Sequence, residues 1–180
     1  MSLPVSDPVL LVSGAIVIAW LSRKSLRKRG SHGYYRFFAA EILLVLVVLN
    51  RHSSGDQTIA NGFLYTSAGL LILGYGALHR FGRASKARED EALLGFEKTT
   101  DLVTGGVFRF IRHPMYASLL ALTWGFFFRV PSTLAFSLAA AVSYLLYLTA
   151  RADERECLAY FGQPYADYMG RTRRFLPFLF

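Results

Sequence analysis

Arg112-His113-Pro114-Met115-Tyr116 brings a guanidinium, an imidazole and a phenol together where a polar stretch gives way to an apolar one. Proline suits the first turn of a helix, so His113 stands at its cap and Arg112 just outside. The free N–H groups of a helix start attract anions, and the adjacent Arg and His reinforce that. The plain alternative is anchoring, since Arg and Tyr are ordinary residues at a headgroup boundary. A second pair, Asp153-Glu154, follows the last apolar stretch. A carboxylate can hold the two hydroxyls of a ribose. Neighbours on a helix point about 100° apart, so the acids do not share a face. The expectation is that Glu154 faces a pocket and Asp153 faces water or Arg151. A solvated charged face with i,i+4 pairs is the alternative.

Gly74-Tyr75-Gly76 lets a backbone approach something closely, in a membrane more often another helix than a ligand. Neither strand nor crossover surrounds it, so it is not a dinucleotide fingerprint. Glu41 lies at membrane depth, where an ionisable group suggests function. It is also near enough to the end of its stretch to snorkel or to pair with Arg36 or Arg80, and the structural reading is preferred. Cys157 is the single cysteine, and His32, His52, His79 and His113 are scattered. No metal-ligand spacing appears, and no metal is expected.

The elements that must position these residues are long apolar stretches. The chain has 180 residues, 53% hydrophobic and only 18% charged, with net charge +8. The charges lie in short runs between apolar segments, which reads as loops at an anionic membrane leaflet rather than a nucleic-acid surface. The stretches run from about Leu3 to Leu21, Tyr35 to Leu49, Gly62 to His79, Met115 to Phe128 and Ser132 to Ala150. The expected fold is therefore all-α and polytopic, with five transmembrane helices, the amino terminus outside and the carboxyl terminus cytoplasmic. That arrangement puts every basic residue except Arg51 and Arg129 in the cytoplasm, as the positive-inside rule favours. A single membrane domain is expected, with three helices over 1–79, a cytoplasmic connection over 80–113, a helical hairpin over 114–150 and a cytoplasmic tail over 151–180. Pro131 is assigned to a first helical turn. Arg151 to Tyr160 reads as a polar continuation of the last helix, ended by Gly162 and Pro164, with a further turn near Tyr165 to Met169.

In this order, the segments resemble the isoprenylcysteine carboxyl methyltransferase and phospholipid methyltransferase group of membrane enzymes. Leu102-Val103-Thr104-Gly105-Gly106-Val107-Phe108-Arg109-Phe110-Ile111-Arg112-His113-Pro114-Met115-Tyr116 is similar to that group's L-V-T-x-G-x-Y-R-x-x-R-H-P-x-Y segment. Asp153-Glu154, Phe161-Gly162 with Tyr165 and Tyr168, and Arg174-Phe175-Leu176-Pro177 resemble its tail. Asp153, Cys157 and Ser118 stand where the group has Glu, Leu and Gly. The resemblance implies S-adenosyl-L-methionine as cofactor and a lipophilic substrate, an isoprenylcysteine-type carboxylate or a phospholipid amine, with the active site on the cytoplasmic face. It implies cofactor contacts at Gly74, Gly76, Gly106, His113, Pro114, Met115, Tyr116, Glu154 and Tyr165. A carboxylate nucleophile would be oriented by Arg112 or Arg174, whereas an amine would need Glu41 or His113 to keep it neutral. The Asp-Glu followed by Cys157 is also reminiscent of NADPH-dependent sterol reductases, so a related reductase is the alternative. A membrane scaffold without activity is the third reading.

Overall fold

The computed structural model describes residues 6–52, 57–82 and 101–177. Among them are six α-helices: α1 (Ser6–Ser22), α2 (His32–Asn50), α3 (Thr58–Phe81), α4 (Pro114–Arg129), α5 (Thr133–Phe161) and α6 (Gln163–Arg171). Short 3-10 turns lie at Ser25–Arg27 and Gly106–Arg109. The charged run expected over 83–91 lies outside the described residues.

The expectation of five transmembrane helices is overturned. Only α2 and α5 are long and apolar enough to cross a bilayer. The hydrocarbon core needs about 20 apolar residues. α1 has 17 residues and α4 has 16. α3 reaches 24 residues, but Asn61, Thr66, Ser67 and glycines at 62, 69, 74 and 76 dilute its hydropathy. Apolar stretches seen in sequence mark helices correctly here, yet length and uniformity decide whether a helix spans.

α2 packs against α5 through one continuous stripe. Ala39, Leu43 and Leu46 meet Ala135, Ala139, Val142 and Leu146, all buried. These positions recur at i, i+3, i+4 and i+7, one face of a helix. The alanines let the two backbones come close. The helices run antiparallel. His32, the first residue of α2, pairs with Glu156 near the end of α5 at 2.6 Å. At the other end, Asn50 Nδ2 donates to the carbonyls of Phe126 and Val130. Ser132 caps α5 by accepting from the amide of Ala135 at 3.1 Å. Pro131 therefore lies outside the helix rather than in its first turn.

α3 packs on α4, and two glycines set how closely. A Cβ on Gly125 would come within 2.9 Å of Leu64, and one on Gly74 within 3.3 Å of Pro114 and Met115. Large apolar side chains such as Val12, Ile16, Trp20, Ile72 and Tyr144 point outward and are exposed, the face a bilayer would cover. α5 carries on past Ala150 to Phe161 without a break, which delivers Asp153 and Glu154 to the end where α4 begins.

Candidate functional site

The residues before α4 and after α6 are drawn together by backbone pairing. Ile111 and Arg173 form an isolated parallel bridge. The amide of Arg112 donates to the Arg173 carbonyl at 2.7 Å, and that of His113 to the Arg174 carbonyl at 3.1 Å. The Arg173 amide returns a bond to the Phe110 carbonyl at 3.2 Å. Segments about 60 residues apart thus share one short ladder, which turns Arg112 and Arg174 inward.

Both arginines converge on Glu154, which is 4% exposed. Arg112 Nε donates to Oε1 at 3.0 Å. Arg174 grips both oxygens, Nε to Oε1 at 3.1 Å and Nη2 to Oε2 at 2.7 Å. Such two-pronged pairing is strong and directional. Arg112 Nη1 also donates to the carbonyls of Met169 and Thr172, so its guanidinium ties α5 to the end of α6. Glu154 is the centre of a clamp and is absent from the cavity wall.

The cavity wall is formed instead by Asp153, together with Arg112, His113, Tyr116, Cys157 and Tyr165. The physical reason is helical phase. Asp153, Cys157 and Phe161 recur every four residues on one face of α5 and all line the cavity, whereas Glu154 is rotated about 100° away. The two acids are thus oriented the opposite way to the expectation that Glu154 faces the pocket and Asp153 faces water or Arg151. The 153, 157, 161 spacing was the signal that could have found the arrangement. Asp153 accepts from Tyr116 Oη at 3.5 Å and from Cys157 Sγ at 3.6 Å.

His113 sits between the two acids. Its Nδ1 lies 3.5 Å from Asp153 and its Nε2 3.4 Å from Glu154. The ring stacks on Tyr116 with centroids 5.3 Å apart. Nε2 is buried and makes no hydrogen bond among the described residues. Burial alone would lower the imidazole pKa, but the two carboxylates outweigh it and hold the value above the ordinary one. A raised folded-state pKa stabilises the fold fully below the unfolded value, and that contribution disappears as pH rises through the folded value. The melting midpoint is therefore expected to fall as pH is raised from about 6.5, and His113→Gln should flatten that slope. An unchanged slope in the variant would remove His113 as its source.

Burial holds the Tyr165 and Tyr168 phenols well above their usual range, so both stay neutral. Tyr168 Oη donates to the Phe108 carbonyl at 2.7 Å, fixing the loop before the cavity. Gly106 takes a positive φ of 62° and packs toward Ala77, where a Cβ would come within 3.1 Å. Pro114 and Met115 line the cavity beside His113. Gly74 packs on Pro114 and Met115, Gly76 is exposed, and neither they nor Glu41 line the cavity. Among the described residues no group of His, Cys, Asp and Glu could hold a metal.

A second, apolar cavity of about 960 Å³ runs alongside, between α3, α4 and α5. Phe63, Leu70, Leu120 and Trp124 line it, with Tyr147 and Phe175 at the end near Arg174. The Arg174 guanidinium lies 5.3 Å from the centre of the Tyr147 ring. Successive residues of α4 line the two cavities, Tyr116 the first and Ala117 the second.

Comparison with known families gives one match. The profile described as phospholipid methyltransferase covers residues 64–168, which takes in most of α3, all of α4 and α5, and the residues lining the first cavity. No curated protein and no solved structure matches the chain.

Proposed function

The chain belongs to the phospholipid methyltransferase family, and from that membership we propose that it is a membrane enzyme transferring a methyl group from S-adenosylmethionine to a lipid-borne acceptor. The observation that carries the reading is the pairing, along α4, of a cavity edged by Arg112, His113 and Asp153 with a second, apolar one. The first cavity suits one end of the cofactor. Its volume is about 120 Å³. Asp153 offers a negative charge to a cationic group, and Tyr165 and Phe161 offer aromatic faces. When bound, the cofactor supplies an electrophilic methyl on a sulfonium.

The protein's part is alignment and exclusion of water, which account for much of the barrier lowering in a displacement of this kind. Arg112 and Arg174 position the wall through Glu154. Arg174, with a partly exposed side chain above Tyr147, adjoins the wall of the apolar cavity at Tyr147 and Phe175 and can orient an anionic acceptor group. The apolar cavity suits the hydrocarbon of an isoprenylcysteine-type or phospholipid substrate. The family match lends no support to an NADPH-dependent reductase.

S-adenosylhomocysteine should raise the melting midpoint. Ligand that binds only the folded state stabilises it by about 2.7 kcal/mol at a hundredfold excess over the dissociation constant. A shift with NADPH and none with S-adenosylhomocysteine would reverse the assignment.

With α2 and α5 as the spans, the His32 and Glu156 ends lie together. Arg23, Lys24, Arg27, Lys28 and Arg29 adjoin that end, as do Arg151, Arg155, Arg171, Arg173 and Arg174. This supports a site on the cytoplasmic face. In a Cys157→Ser background, Lys28→Cys should label from the cytoplasm and Val130→Cys from the opposite side. Labelling of both from one side would defeat it.

A further inference from the structure

The ladder between residues 110–113 and 173–174 has a second face. Arg112 and Arg174 turn inward, and Arg109, Arg171 and Arg173 turn outward and are exposed. Together with Phe110, Gly170 and Pro177, those three line a surface cavity of about 230 Å³. Among the described residues none of the three forms an ion pair. Arg171 gives one N–H to the Asp167 carbonyl at 3.3 Å, which leaves its outer nitrogens free. Three guanidiniums around one concavity repel each other unless an anion joins them. Phe110 and Leu176, exposed by 49% and 55%, flank the patch.

We propose that this concavity binds the phosphate of an anionic membrane lipid, and that binding locks the loop before α4 to the segment after α6. The size and forked donors suit a phosphate. A basic patch beside exposed apolar side chains on a membrane protein matches headgroup and upper acyl chain together, a pairing that a soluble polyanion does not offer. The phosphate bridges Arg109 on one side of the ladder to Arg171 and Arg173 on the other. Those segments carry the backbone bonds that set His113 and Arg174, so the lipid tightens the site from outside it. The inference concerns lipid binding and stands apart from the methyl-transfer reading.

The test uses the purified full chain in detergent micelles, titrated with phosphatidylglycerol, phosphatidylcholine or inorganic phosphate at one ionic strength. Phosphatidylglycerol should raise the melting midpoint by roughly 3 °C or more, and the shift should shrink as salt rises. Phosphatidylcholine, whose choline cancels the phosphate charge, and inorganic phosphate should give less than a third of it. Replacing Arg109, Arg171 and Arg173 together by Gln should abolish the shift, whereas Lys28→Gln with Arg155→Gln should retain it. If the triple variant fails to fold, Arg109→Gln alone should at least halve the shift. Equal shifts with phosphatidylcholine overturn the anionic site, and equal shifts with inorganic phosphate overturn the lipid. Full shifts in both the triple and the single variant overturn the three arginines as its seat.

Discussion

Glu154→Gln is expected to destabilise the fold by about 3–5 kcal/mol, the usual consequence of removing one partner from a buried ion cluster. The carboxylate is the only acid that Arg112 and Arg174 both meet among the described residues. Arg112's side chain is 8% exposed, so solvent cannot replace the lost charge. An amide would also point N–H groups at guanidinium N–H groups. For a chain this long the melting midpoint should drop by roughly 10 °C. Unfolding in detergent, followed by circular dichroism, measures it. A drop under about 3 °C would mean that Glu154 is not the clamp. Cofactor affinity should fall as well, as a consequence of the collapsed wall.

Asp153→Asn should show the reverse weighting, costing the fold less than Glu154→Gln and impairing binding more directly. Asp153 touches His113, Tyr116 and Cys157 at 3.5 Å or beyond, longer contacts than those that hold Glu154. Its charge faces the cavity. Losing one charge-assisted hydrogen bond, about 1.5–3 kcal/mol, should weaken S-adenosylhomocysteine binding roughly ten- to a hundredfold by calorimetry, with a smaller fall in the melting midpoint of the free protein than Glu154→Gln gives. Parental affinity in Asp153→Asn would remove this carboxylate from the binding surface. The two adjacent acids are therefore separable by a stability measurement and a binding measurement on the same preparations.

Helix positions were readable from sequence because apolar runs and their punctuation are local. Tyr35 to Leu49 falls inside α2, and Pro114 opens α4. Gly162 closes α5 with a positive φ of 63°. The span count was not readable from runs alone, since glycine and polar residues within α3 and the shortness of α1 and α4 change what a bilayer accepts. The two motifs around His113 and Asp153 were recognisable as types, and the structure brings them together. Which acid faces the cavity follows from the phase of α5 relative to α4, a long-range quantity. The grip of Arg112 on Glu154 spans 42 residues, and no local pattern carries it. Gly74 shows the same limit, because its neighbours Pro114 and Met115 lie far along the chain.

α5 is an unbroken rod of 29 residues, roughly 43 Å at the helical rise against a hydrocarbon layer of about 30 Å. Asp153 lies 20 residues from Thr133, so it rides at the far edge of that layer. Acyl-chain length then becomes a reaction variable. In a thicker bilayer the rod stands more upright or the bilayer thins around it, and the acid sinks toward hydrocarbon. In a thinner one it rises into water. Turnover should peak at one lipid thickness, with the membrane acting as a ruler for the site.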